Sequence, residues 1–234
     1  MNTTWYNSAL GRLSVQTEAQ LLVQALDDVF GPVLVQCGVW GQRGELLPAT
    51  SARAHHVVAQ QSGDAVSLVA RLAQLPLGAA TVDAVLLPHA LEFERDPYAL
   101  LREADRILMG EGRLIVLGYR PASPWGWRAA ASRSGFPPGL RRLLPESRVR
   151  DWLVLLGYEV ECVRYYLYTL PFRRKPAAPG EVSVRRGWVY PLPAGGFLLK
   201  ARKRLYGMTP IRPRRRRAVM GGALEPTVRS VVND

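Results

Sequence analysis

The chain has 234 residues, of which 48% are hydrophobic and 21% charged, with a formal net charge of +12. Those proportions belong to a globular chain with one sizeable core and argue against wholesale disorder. No apolar run reaches the ~20 residues of a membrane helix, and Met1-Asn2-Thr3-Thr4-Trp5 has neither the basic nor the apolar segment of a secretory leader. Two cysteines, Cys37 and Cys162, make no disulfide framework, and neither has a CxxC partner for a metal. The expectation is a cytoplasmic protein with no membrane partner and no metal.

The charge is uneven. Residues 1–99 carry a net −4, residues 100–199 a net +8 and residues 200–234 again +8. A mildly acidic first third argues against a protein whose whole surface wraps nucleic acid.

The first predicted element is a helix over 14–29, with Leu21, Leu22, Ala25, Leu26 and Val29 at helical spacing and Ser14 or Thr17 as the cap. Phe30-Gly31-Pro32 ends it. Val33-Leu34-Val35 reads as a buried strand followed by the turn Gly38-Val39-Trp40-Gly41. Residues 56–60 and 66–70 read as two more short strands, and Asp83–Leu87 as a fourth. Leu100, Leu101, Ala104, Ile107 and Leu108 share one face of a predicted helix over 97–108, with Pro97 suited to its first position. Arg113–Gly118 is a fifth strand. Residues 121–139, rich in Pro, Gly and Trp, read as an excursion over the sheet edge. A helix over 146–156 ends at Gly157, and residues 158–168 and 196–202 read as two last strands around a Pro-rich basic loop at 171–180. Nearly continuous apolar strands alternating with helices predict a parallel α/β sheet covered on both faces. Beyond Arg204 the apolar content falls, and Arg212 to Arg217 opens a basic tail expected to be disordered. Two regions follow: a domain over 1–205 and a tail over 206–234.

Several residues invite a chemical role that packing explains as well. His89 follows the fourth strand, where it could face a ligand or take a substrate proton, but a histidine at a strand end is more often a hydrogen-bonded structural residue. His55 and His56 put their rings on opposite faces of a strand and make no metal pair. Glu92, Glu94 and Asp96 read as a solvated acidic loop. Trp125 and Trp127 could line a cleft or pack a lid on the core.

The run Leu75-Pro76-Leu77, Val82-Asp83, Arg102–Leu108 and Gly112-Arg113-Leu114, with Asp151–Val160 and Gly196–Lys203 later, resembles the class I S-adenosylmethionine-dependent methyltransferases, specifically the methyltransferase-11-like group. The resemblance covers about residues 20–205. It implies a three-layer sandwich around a mostly parallel seven-stranded sheet with the last strand antiparallel, a Rossmann-like methyltransferase fold. It further implies S-adenosylmethionine as cofactor, held by Gly38, Val39, Gly41, Gln60, Leu72 and His89, and a methyl acceptor whose identity no motif gives; no Asn-Pro-Pro-Tyr follows the fourth strand. In the family the turn after the first strand is Gly-x-Gly-x-Gly; here Trp40 takes the second Gly position. The acid expected after the second strand is replaced by Gln60 and Gln61, and the one after the third by Arg71. Those departures leave an alternative: a cofactor-free methyltransferase fold acting as a binding partner. Nine Lys and Arg between Lys200 and Arg217 would suit contact with nucleic acid.

Overall fold

The computed structural model describes residues 3–41, 54–133, 135–172, 189–190 and 192–205. The basic tail and the Pro-rich loop predicted above lie outside the described residues, apart from Pro171 and Phe172. Helices α1 (Thr3–Tyr6) and α2 (Ala9–Leu26) lead into strand β1 (Val33–Cys37). Strands β2 (Ala54–Ala59), β3 (Leu68–Val69) and β4 (Val82–Pro88) follow, then helices α3 (Ala90–Phe93) and α4 (Pro97–Ile107). Strand β5 (Leu108–Tyr119), helices α5 (Pro124–Ala131) and α6 (Glu146–Leu155) and strand β6 (Tyr158–Tyr166) come next. A two-stranded ribbon, β7 (Val189–Tyr190) with β8 (Leu192–Pro193), precedes the last strand, β9 (Gly196–Lys203).

The main sheet has seven strands in the order β3-β2-β1-β4-β5-β9-β6. β1 pairs in parallel with both β2 and β4, so the strand order reverses at β1. β9 runs antiparallel between β5 and β6. This is the three-layer arrangement expected from the sequence.

Side chains alternate across the strands and build two cores. Val35, Cys37, Val85, Leu87, Leu114 and Val116 face the layer of α4 and α6. Leu34, Ala84, Leu86, Ile115 and Leu117 face the layer of α1 and α2 with Trp125 of α5. α4 forms because Asp96 caps Ala99 N (3.0 Å), Pro97 presets the first turn, and Leu100, Leu101, Ala104 and Ile107 make one apolar stripe. Leu101 is wholly buried, and its truncation to Ala would cost about 2–5 kcal/mol.

Two elements differ from the sequence expectation. α2 starts at Ala9, capped by Ser8 through Gly11 N (3.0 Å), and not at Ser14 or Thr17. Thr17 returns its hydroxyl to Leu13 O inside the helix, and Ser14 faces the core. The earlier start depends on Gly11: a Cβ there would lie 2.2 Å from Trp5 O, so only glycine lets α1 fold against α2. The excursion over 121–139 contains helix α5, because Ser123 caps Gly126 N (3.0 Å) and Pro124 sits at the first helical position. Among the described residues no helix is long and apolar enough to cross a membrane.

Candidate functional site

In an open α/β sheet, ligands sit beyond the carboxyl ends of the strands where the strand order reverses. Here that place is the rim formed by the ends of β1, β2 and β4. The turn after β1 is held from both sides. Gly38 N donates to Val58 O (2.7 Å), and the Gln36 carboxamide donates to Gly38 O (2.8 Å). Gly38 has φ +93° and Gly41 φ +84°, a left-handed backbone that favours glycine. Among the described residues, a Cβ on Gly38 would meet only Ala90 Cβ, at 3.7 Å. Val39 is half-buried and Gly41 buried.

Trp40 does not stand at that position. Its indole is fully buried among Trp5, Tyr6, Phe93 and Tyr119, and lies against the His89 ring with centroids 4.2 Å apart. The Trp40 side chain itself is therefore packed into the core and not over the Gly38 backbone.

Indole Nε1 donates to Glu18 of α2, and Glu18 is the hub of a buried polar network. It also accepts from Ser14 Oγ (2.6 Å), Tyr166 OH (3.2 Å) and His89 Nε2 (3.2 Å). His89 Nδ1 meets Glu92 Oε2 at 2.7 Å, and Glu92 Oε1 accepts Tyr119 N (2.6 Å). Tyr119 OH bonds Ser14 Oγ (2.9 Å), and its ring stacks on His89 at 4.2 Å. Burial alone would lower the pKa of His89, but the facing carboxylates of Glu18 and Glu92 outweigh it and raise the value to about 9. The ring is an imidazolium at neutral pH. Burial pushes Glu92 up from the usual carboxylate range, against the pull of His89 and Tyr119 N. His89 is a left-handed residue (φ +56°) with both ring nitrogens engaged, two aromatic rings against it and no exposed surface.

Glu92 is thus a buried partner of His89, which corrects the reading of residues 92–96 as a solvated acidic loop. Asp96 of that group caps α4, and Glu94 reaches across to accept from Gln60 Nε2 (2.8 Å) at the end of β2. Gln60 is exposed there. Leu72 is buried in the core on the α4 side, inside a turn closed by Gln74 N on Arg71 O (3.0 Å). The Arg71 side chain is exposed. Trp125 is a core residue, bonded to Thr169 O (2.8 Å), whereas Trp127 is exposed. The rim thus gathers Gly38, Val39, Gly41 and His89 around Trp40; Gln60 pairs with Glu94 instead, and Leu72 belongs to the α4 core.

Glu18, Tyr119 and Tyr166 were not singled out from the sequence. Glu18 had a signal: it falls on the apolar face of α2, four residues before Leu22. A cleft of about 360 Å³ opens beyond β5 and β6, lined by Arg120, Pro121, Ala122, Pro145, Glu146, Ser147 and Tyr165. Burial of Cys37 pushes its thiol up to about 12, which makes it inert at neutral pH. Among the described residues no group of three or more His, Cys, Asp or Glu could hold a metal ion.

Comparison with known proteins bears on this geometry. Residues 45–116 match the family described as a methyltransferase domain, methyltransferase type 11. The uncharacterised protein YafS of Escherichia coli K12 is 37% identical over 116 residues, 47% of this chain and 46% of its own length. The chain spans about half the length of the curated relatives it matches. Among solved structures, an S-adenosylmethionine-dependent methyltransferase of Thermotoga maritima, a possible histamine N-methyltransferase, superposes with a TM-score of 0.66 at 21% identity. The superposition covers 86% of this chain and 94% of that one. A geranyl diphosphate methyltransferase in complex with S-adenosylmethionine gives a TM-score of 0.54 at 15% identity, over 82% of this chain and 86% of the other. The strand order is that of the class I methyltransferase fold seen in these solved structures, and the central segment 45–116 is similar to the methyltransferase type 11 family.

Proposed function

We propose that this chain binds S-adenosylmethionine over the turn Gly38–Gly41 and transfers its methyl group to an acceptor docked on the same rim. The observation that carries the reading is the turn itself. It lies at the strand reversal, is fixed by Gln36 and Val58, and among the described residues has only Ala90 Cβ within 4 Å of where a Gly38 Cβ would stand, with Trp40 turned inward. The cofactor would supply a methyl group already activated by its sulfonium, so no nucleophile or metal is needed.

The residues of this chain then have limited tasks. The Gly38–Gly41 backbone would lie against the amino-acid portion of the cofactor. The Gln60 and Glu94 pair offers polar atoms at the end of β2, and the backbone around Leu72 and Ala73 can read the base. Arg71 carries donors only and cannot accept a bond from an adenine amino group, which agrees with its exposed position. His89 would act through the network that holds the rim, not by direct proton transfer, since neither ring nitrogen is free. The acceptor would approach between the turn after β4 and residues 121–139, where the cleft shares Pro121 and Ala122. Rate would come mainly from aligning the acceptor and excluding water.

Calorimetric titration with S-adenosylhomocysteine tests the reading. The expected result is saturable one-to-one binding that S-adenosylmethionine competes away. No heat and no competition at millimolar ligand would overturn it.

A further inference from the structure

We infer that Glu18 is the positioning residue of the cofactor turn: through Trp40 and His89 it ties the turn after β1 and the turn after β4 to helix α2. The inference rests on the functional reading above for its consequence in ligand affinity, though not for its mechanical part.

Four donors reach Glu18 from four separate elements: Ser14 from α2 itself, Trp40 from the turn after β1, His89 from the end of β4, and Tyr166 from the end of β6. Glu18 has no exposed surface. A carboxyl group buried in such a place is tolerable only with several hydrogen-bond partners, and once they are present its position is fixed. Trp40 transmits that position. Its backbone lies between Gly38 and Gly41, two left-handed glycines that would otherwise let the turn wander. Its ring is clamped by Tyr6 at right angles (5.2 Å) and by the tilted His89 ring (4.2 Å). His89 is itself fixed by the stacked Tyr119 ring and by Glu92. A bulky residue stands where the sequence pattern has glycine because here the turn is staked to α2. Glu18 and its helix lie outside the matched segment 45–116, so the site's geometry depends on a part of the chain outside that segment.

The test uses the full chain with Glu18→Gln, Glu18→Ala and Trp40→Phe, and Leu22→Ala as a control. Leu22 is a wholly buried residue of the same helix, in the same core as Trp40. Glu18→Gln keeps one acceptor oxygen but puts an amide donor in place of the other; Trp40→Phe keeps a ring but loses the N–H. Amide hydrogen exchange over residues 37–41 reads the turn without any ligand. Exchange at least tenfold faster in Glu18→Gln and Trp40→Phe, but not in Leu22→Ala, is expected. Titration with S-adenosylhomocysteine, well below each melting temperature, should show affinity lowered at least fivefold in the first two variants and unchanged in the control. Glu18→Ala should be worse than Glu18→Gln in both readouts; if it does not fold, Glu18→Gln and Trp40→Phe decide. Wild-type exchange in both of those variants, or the same acceleration in Leu22→Ala, would overturn the inference. A wild-type chain that binds no S-adenosylhomocysteine would overturn the functional reading, while the exchange result still decides whether Glu18 holds the turn.

Discussion

At the scale of single residues, His89 and Gly38 make opposite demands on their surroundings. His89 gains a proton by folding: its pKa rises from 6.5 to about 9 because two carboxylates outweigh its burial. A group with a raised folded pKa contributes stability that is complete below its unfolded value and is lost as pH climbs through the folded one. The contribution of His89 is therefore full below pH 6.5 and disappears by about pH 9, a total of roughly 3 kcal/mol at 1.36 kcal/mol per pKa unit. Urea unfolding between pH 6.5 and 8.5, before Cys37 begins to matter, should show stability falling with pH. Proton NMR gives the direct check, because the chain has three histidines and His55 and His56 lie in β2. The signal lost in His89→Gln should titrate near pH 9, and a midpoint at or below 6.5 would refute the imidazolium. Gly38 is chosen instead for what it lacks. At φ +93° any side chain strains the turn by about 1–2 kcal/mol, and a Val would also fill the space beside Ala90. Gly38→Val should lower S-adenosylhomocysteine affinity more than tenfold, equivalent to about 1.4 kcal/mol, with a melting loss of only a few degrees. Unchanged affinity would remove the turn from the site.

At the scale of elements, what the sequence revealed depended on how local the cause was. β1, β4 and α4 were legible because apolar runs, helical spacing and an Asp-Pro start lie within one segment. α5 was not, since the prolines and glycines of 121–139 mask a short helix whose signal is only Ser123-Pro124 and the buried Trp125. The start of α2 depends on Gly11 meeting α1, a contact that spacing alone does not show. The candidate site follows the same rule. Gly38 and Gly41 could be placed from the strand before them, but the inward turn of Trp40 requires Glu18, 22 positions earlier, and His89, 49 positions later. Glu92 read as solvated because its partners, His89 and Tyr119 N, meet it only after β4 and β5 pair. Ser8 offers a test at this scale. It is the cap of α2, so Ser8→Ala should cost about 1 kcal/mol in urea unfolding. It should leave cofactor affinity intact, since the helix keeps its packing at Leu21 and Leu22; a loss of affinity equal to that of Glu18→Gln would show that the whole helix, and not Glu18, sets the turn.

At the scale of the molecule, the order of strands fixes where the chain can be cut. β9 is the last strand in sequence but not in space: it lies between β5 and β6 and pairs with both from Gly196 to Lys203. Phe197, Leu198, Leu199 and Ala201 are all buried there, and the Lys200 amine bridges Asp28 and Glu161. Removing β9 would leave β6 without a neighbour and open both cores, so a chain ending at Pro193 should fail to fold. The strand is complete at Lys203, whose amine reaches Asp105 O (2.5 Å) and Leu108 O (3.1 Å) and closes the end of α4. Residues 206–234 lie outside the described ones. Arg212 and Arg214 to Arg217 crowd five positive charges with no acid among them, and such a run repels itself and supplies little apolar area to bury. A chain ending at Tyr206 should therefore melt within a few degrees of the full chain and bind S-adenosylhomocysteine equally well. Its binding to polyanions such as heparin should fall sharply, and more at low salt than at high salt, because the charges removed act through screened electrostatics. A melting drop of ten degrees or more in the shortened chain would mean that the tail docks on the domain, and the two-region division would have to be abandoned.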